Sequence, residues 1–338
     1  MANYNSVAVI LGSDSSEWEV SCRSGEFVAS RLDDTRFDIY EIFARFGKWT
    51  LVAMRKRNSM RVTFAEGSQP EVDKSDFSVT VMGEKIKFDF AYIAQHGFPG
   101  ETGHMQGYLE MLGIPHSTCS AFVSSMVFDK YACKRYIGEV DFVHLAPDVF
   151  VRKGSDLSAA AEAVEKTLRF PVFVKPTSGG SSFGVSMVSS PDTLVQAVRY
   201  AFSESDTVII EQGISGRELT CAAFKDGGKV VSLPVIEIIS DNEYFDYDAK
   251  YNGHSREVCP AEIPSALEAQ VKEVTAKLYK RLGCSGLVRM DYIASDEGLY
   301  FLEVNTVPGM TSASLVPKMV RTAGLGMTEF LSCIIDNA

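Results

Sequence analysis

The sequence lacks the segments that would send a chain through or into a membrane. It opens MANYNSVAVILGSDSSE, with no basic stretch ahead of a short apolar run, so no signal peptide is expected. No run of about 18 apolar residues occurs, so no membrane-spanning helix is expected. Cysteine is sparse and unpatterned. The 7 cysteines stand at 22, 119, 133, 221, 259, 284 and 333. Their odd number, and the want of any Cys-x-x-Cys, point away from a disulfide framework or a zinc knot. A cytoplasmic protein with reduced thiols is the simplest expectation. Positive charge is in deficit as well, with 33 Lys and Arg against 44 Asp and Glu. The formal net charge of −11 argues against a nucleic-acid partner. There is no Walker A run and no Gly-x-Gly-x-x-Gly after a strand, so the common P-loop and dinucleotide readings lose support. No internal repeat or low-complexity segment is present.

What is present reads as an ordinary globular chain. Its 338 residues are 46% hydrophobic and 23% charged, enough for two or three domains with real cores. Ser6–Leu11 reads as a buried strand, 17–32 as a helix, 88–95 as a strand and 105–112 as a helix. Strand, Gly-rich turn and helix in this order predict a parallel α/β domain ending near Ser117, with ligands at the strand C-termini. The second half predicts a helix over 122–136, strands over 149–152 and 172–175, and a helix over 159–167. Strands over 185–188 and 208–211 bracket a helix starting near Pro191. A hairpin over 217–235 and a helix over 264–282 follow.

Residues 287–312, LVRMDYIASDEGLYFLEVNTVPGMTS, carry the most chemistry. Two apolar runs flank Ser295-Asp296-Glu297-Gly298, a turn-forming segment. A hairpin centred near Glu297 sets Asp291 opposite Glu303. Side chains two apart on a strand share a face, so Arg289 and Asn305 join them. Opposed carboxylates repel, which calls for a reason to keep them together. A hard cation supplies one: Mg²⁺ takes one or two carboxylates and completes its shell with phosphate oxygens and water. Arg289 adds a cationic fork for phosphate or an oxyanion. Together they predict a metal–nucleotide site.

Other segments read two ways. The loop PTSGGSSFG over 176–184 offers backbone N–H groups and hydroxyls to phosphate, with Lys175 on the entering strand, yet alone it reads equally as a flexible hairpin. VIIEQGISGRE over 208–218 could present Glu211 and backbone groups to an adenine and Glu218 to a ribose, or form a salt-bridged loop. FDYDAKY over 245–251 is a loop over a ligand or a packed aromatic loop. His96 at a strand end, and Glu17 at a helix start, each have an ordinary structural reading.

Seven collinear segments nonetheless match one family in order and wording. They are SSEWEVS at 15–21, HGFPGETGHMQGYLEMLGIP at 96–115, FDK at 128–130, VFVKPTSGGSSFGV at 172–185, EQGISGRE at 211–218, FDYDAKY at 245–251 and LEVNTVPGMTSASLVP at 302–317. The chain thus resembles the D-alanine–D-alanine ligases of the ATP-grasp superfamily almost end to end. The resemblance implies a three-domain α/β fold. An N-terminal Rossmann-like parallel-sheet domain would span 1–117, a central ATP-grasp subdomain with the Gly/Ser loop 118–211, and a C-terminal ATP-grasp subdomain 212–338. It implies that ATP and two D-alanines are the small-molecule substrates and that two Mg²⁺ ions, replaceable by Mn²⁺, are bound. It implies a cytoplasmic homodimer acting in peptidoglycan precursor synthesis, with no membrane or nucleic-acid partner.

Residue roles also follow from the resemblance. Lys130, Lys175, Ser182 and Lys250 would contact the nucleotide phosphates, Glu211 and Ile214 the adenine, and Glu218 the ribose. Asp291, Glu303 and Asn305 would hold the metals. Glu17 would hold the first D-alanine's amino group and link through Ser181 to Tyr251, locking a closed loop. Arg289 and the Gly309 N–H would form an oxyanion hole. His96 and Glu101 would lie on the first-substrate side, with Ser314 and Leu315 on the second. Departures from the family pattern are Ser13, Thr102, the run 116–118, and a longer region over about 45–87. They touch the rim of the pocket expected for the first substrate. Three competitors remain. A depsipeptide or D-Ala–D-Ser ligase is opposed by Tyr251. A catalytically silent nucleotide binder is opposed by the intact metal and arginine positions. A carboxylase-type or purine-pathway ligase is opposed by the EWEVS and DYDAKY segments.

Overall fold

The computed structural model describes residues 4–180, 183–240 and 255–338. The strand Ser6–Leu11 is buried along its whole length, as expected where helices cover both faces of a parallel sheet. It lies between Asp38–Arg45 and Phe90–Ile93 and runs parallel to both. The strands Lys48–Arg55 and Val62–Thr63 then extend the sheet antiparallel. The helix Trp18–Arg31 buries Ser21, Ser24, Gly25, Val28 and Ala29, the spacing of one helical face. That face is made of small residues because the helix sits hard on the sheet. A Cβ at Gly25 would lie 2.5 Å from Leu11 Cβ.

The long region over 45–87 belongs to this core. Its strands Val72–Asp73, Ser78–Val81 and Glu84–Lys87 form a separate antiparallel sheet. Phe77, Val79 and Ile86 from it pack with Ile10, Ile42 and Leu51, and Phe77 meets Trp49 and Tyr108 edge-on.

A second, antiparallel sheet is ordered Asp148–Arg152, Thr207–Gln212, Val172–Pro176, Ser186–Val188. Helices Leu157–Thr167 and Leu194–Ala201 cover it, closing a core of Val164, Leu194 and Val198 against Val151, Val174 and Ile210. The helix expected from Pro191 begins as a 3₁₀ turn over Pro191–Thr193. The third sheet is ordered Ser255–Val258, Ile236–Ser240, Arg217–Asp226, Val288–Ser295, Gly298–Asn305, His144–Leu145. Lys229–Ser232 also pairs with Arg217–Asp226, and helix Ser265–Arg281 packs on this sheet.

One expectation is corrected. The helix read over 122–136 is two helices, Ala121–Phe128 and Lys130–Ile137. Asp129 breaks it, with extended backbone at φ −84°, ψ 110°, and its side chain accepts the Ala132 N–H at 2.8 Å. An aspartate caps a helix better than it continues one. Both helices pack into the core of the third sheet, through Val123, Val127, Cys133 and Ile137. Packing thus departs from chain order here, since the helices precede the second sheet in sequence.

Candidate active site

The three sheets open onto one cleft of about 1170 Å³. Every residue singled out from the sequence lines it, apart from Ser181, Ser182, Lys250 and Tyr251, which lie outside the described residues. The expected latch between Glu17, Ser181 and Tyr251 therefore has only Glu17 in view.

The floor is the hairpin of Val288–Ser295 with Gly298–Asn305. Asp291 pairs with Glu303 and Arg289 with Asn305, as read from the sequence. The route to that register differs. Ser295 pairs with Gly298 and Tyr292 with Phe301, then the register shifts by one between Tyr292 and Asp291. Without that bulge Asp291 would oppose Leu302, and Glu303 would leave the face. Arg289 is not a free fork. Its Nε and Nη2 donate to the two Asp291 oxygens at 2.9 and 2.8 Å. Burial opposes the Arg289 charge, but Asp291 and Glu303 outweigh it and raise its pKa. Asp291 also accepts from Thr220 Oγ1 at 2.6 Å and Asn305 Nδ2 at 3.2 Å.

Two carboxylates and an amide therefore share one face. Among the described residues no group of three or more His, Cys, Asp or Glu side chains is placed to hold a metal. A divalent cation bound here would draw its remaining oxygens from phosphate and water. That suits Mg²⁺, which keeps several waters and binds through one or two carboxylates plus phosphate.

The phosphate side is cationic. Lys130, at the start of its helix, donates to the Gly179 carbonyl at 3.2 Å and lies 3.3 Å from Glu303 Oε2. Lys175 donates to Glu211 Oε2 at 2.8 Å. Glu211 takes a second cation at its other oxygen, Lys134 Nζ at 2.6 Å. Lys134 is 2% exposed and also reaches Asp148 at 2.8 Å and the Ala146 carbonyl at 2.7 Å. Burial alone would raise the Glu211 pKa, but Lys175 and Lys134 hold it down at about 2. Both carboxylate oxygens of Glu211 are thus taken by lysines.

The opposite wall comes from the first sheet. Glu17 sits at the N-terminus of helix Trp18–Arg31, and its backbone N–H donates to Ser15 Oγ at 3.1 Å. The Gly/Ser loop passes directly over it, since a Cβ at Gly180 would lie 2.8 Å from Glu17 Oε2. Glu101 accepts the Gly97 N–H at 2.7 Å. Burial, with the Glu17 charge adding to it, pushes Glu101 up to about 8, so at neutral pH it is mostly the neutral acid. Burial lowers the His96 pKa, leaving the ring neutral. Across the cleft, Ser314 precedes helix Leu315–Thr322 and accepts the Thr311 N–H at 3.0 Å. A Cβ at Gly309 would sit 3.0 Å from Ser314 Oγ.

Sequence reading missed Lys134, Thr220 and Ser24. The first two carried a signal. Lys134 lies one helical turn beyond Lys130, and Thr220 shares a strand face with Glu218. Ser24 carried none, because a serine on a helix announces no partner.

The chain matches known proteins along nearly its whole length. The family profile described as D-ala D-ala ligase N-terminus matches residues 6–119, and that described as D-ala D-ala ligase C-terminus matches 136–336. A D-alanine–D-alanine ligase of Phocaeicola vulgatus is 41% identical over 98% of both chains. The solved VanG D-Ala:D-Ser ligase from Enterococcus faecalis superposes with a TM-score of 0.86 at 30% identity, over 98% of both chains. The D-alanine–D-alanine ligase from Bacillus anthracis complexed with ATP superposes at 0.75 and 30% identity, covering 98% of this chain and 97% of that one. With matched profiles over both halves and a relative of this identity along nearly its full length, the chain belongs to the D-alanine–D-alanine ligase family.

Proposed function

We propose that this protein joins two D-alanines into D-alanyl-D-alanine at the expense of ATP, for peptidoglycan precursor synthesis. One observation carries the reading. The Arg289, Asp291, Glu303 and Asn305 face lies in the same cleft as Lys130, Lys175 and the Gly/Ser loop, in a chain of this family. The γ-phosphoryl group passes to the carboxylate of the first D-alanine, giving an acyl phosphate and ADP. The amine of the second D-alanine attacks that carbonyl, and phosphate leaves from the tetrahedral adduct.

Positioning and electrostatics do most of the work in such transfers. In this reading Lys130, Lys175, Ser182 and Lys250 bind the phosphates, Ile214 and the Glu211 backbone hold the adenine, and Glu218 holds the ribose. Glu17 takes the first amino group, with His96 and Glu101 beside it. Ser314 and Leu315 present the N-terminus of their helix to the second carboxylate. Arg289 and the Gly309 N–H face the oxyanion. Asp291, Glu303 and Asn305 would hold two Mg²⁺ ions, or Mn²⁺, whose charge would neutralise phosphate oxygens. Closure of the Gly/Ser loop, with Ser181 and Tyr251 over Glu17, keeps water from the acyl phosphate. No helix among the described residues is long and apolar enough to cross a membrane, and we place the enzyme in the cytoplasm as a homodimer.

The test is phosphate release with D-alanine, D-serine, D-lactate and L-alanine, with product identification. Dipeptide from D-alanine alone supports the reading. The likeness to a D-Ala:D-Ser ligase favours one alternative, and mixed D-Ala–D-Ser product in preference to D-Ala–D-Ala would establish it. No phosphate release with any D-amino acid would overturn both.

A further inference from the structure

The backbone around Gly309 is held from the far side of the cleft. Ser24, 1% exposed on helix Trp18–Arg31, accepts the Met310 N–H at 3.3 Å. The same hydroxyl lies 3.1 Å from His96 Nε2. An N–H can only donate, so Ser24 Oγ is the acceptor toward Met310 and its own proton is available to the imidazole. A neutral His96 ring, which burial favours, takes that proton in the tautomer whose Nε2 carries the lone pair. His96 is itself fixed at both ends of its backbone. Its N–H donates to Ser21 Oγ at 2.9 Å, and its carbonyl accepts from Ser15 Oγ at 2.8 Å. The Val307 backbone lies beside both the His96 ring and the Glu101 carboxyl.

Val307 and Met310 bracket Pro308-Gly309 on either side. Glycine has the widest backbone freedom of any residue, and proline brings no N–H of its own. The direction of the Gly309 N–H is therefore set largely by what holds the residues around it. We propose that Ser24 is a positioning residue of the reaction: with His96 it pins the Met310 N–H just after Gly309, and so limits how far Gly309 can swing its own N–H, which belongs to the preceding Pro308–Gly309 peptide, away from the developing oxyanion. This rests on the ligase reading above. It also makes the oxyanion donor dependent on docking of the N-terminal helix.

The test compares wild type with Ser24→Ala and Ser24→Cys, the second keeping the side-chain volume while weakening both bonds. The readouts are steady-state kinetics, ADP affinity, thermal melting and affinity for a phosphinate that mimics the tetrahedral adduct. We expect kcat to fall by about 10- to 100-fold, the scale of a small misplacement of a reacting group. KM for ATP and ADP affinity should stay within about twofold, and phosphinate affinity should fall in step with kcat. Adding His96→Gln to Ser24→Ala should cost little more than either change alone, because the two act as a unit. Should Ser24→Ala not fold, Ser24→Cys gives the same readouts. Unchanged kcat in the variants, or equal losses in ADP and phosphinate affinity, would overturn the inference while the ligase reading stood. A wild-type chain that makes no dipeptide would overturn that reading and this inference with it.

Discussion

Lys134 and Glu211 meet at 2.6 Å, the carboxylate lining the cleft and the lysine buried behind it, joining a helix of the third-sheet core to a strand of the second sheet. Glu211 is shared with Lys175, so a buried and a half-buried lysine converge on one carboxylate. Removing one partner of a buried ion pair strands the other, which typically costs about 3–5 kcal/mol. Lys134→Met should therefore lower urea-unfolding stability by several kcal/mol and raise KM for ATP. Lys134→Arg should recover part of both. A variant with wild-type stability would mean that the pair adds nothing beyond packing.

The same pair sets an acid limit. Glu211 has its folded pKa depressed to about 2 from an ordinary value of 4.5. Its stabilisation is thus fully present above pH 4.5 and disappears as pH falls toward 2. Denaturation followed from pH 6 down to 2.5 should show wild type losing on the order of a few kcal/mol more than Glu211→Gln. Parallel curves would assign the acid sensitivity to other carboxylates.

Asp291→Asn and Glu303→Gln should each cripple turnover at modest Mg²⁺ while far-UV circular dichroism stays native, since each removes a charged ligand from one face. Near-native activity in either would contradict the metal role of the hairpin.

Arg289→Met should lower kcat by roughly 10²–10³, as loss of an oxyanion donor does. Because Arg289 also holds both Asp291 oxygens, the variant should shift the Mg²⁺ requirement too. A metal titration separates the two effects. If saturating Mg²⁺ restored full kcat, Arg289 would serve only to place Asp291.

Gly180→Ala would put a methyl 2.8 Å from Glu17 Oε2. The carboxylate is the flexible end of its side chain, so the fold should tolerate the change. Glu17 would have to move, and KM for D-alanine should rise several-fold while ADP affinity changes little. An unchanged KM would separate Glu17 from the first substrate.

The sequence by itself determined the chemistry-bearing residues and most of the elements that carry them. Alternation along 288–305 was enough to put Arg289 with Asp291 and Glu303 with Asn305, because strand periodicity is a local property. The apolar run Ser6–Leu11 and the motif order were legible for the same reason. What the residues do to one another was not. The hairpin turns half a residue earlier than the pairing of Asp291 with Glu303 requires, and only a bulge restores it. Arg289 looked free and is engaged by Asp291, and the adenine-side carboxylate of Glu211 proved to be held by Lys134. The helix across 122–136 breaks at Asp129, which caps the second helix, and the same carboxylate accepts from Thr177 and Ser178, nearly fifty residues on. Ser24 meets Met310 across 286 positions of chain. Such contacts depend on how helices and sheets dock, which is decided by packing between distant segments rather than by any local pattern.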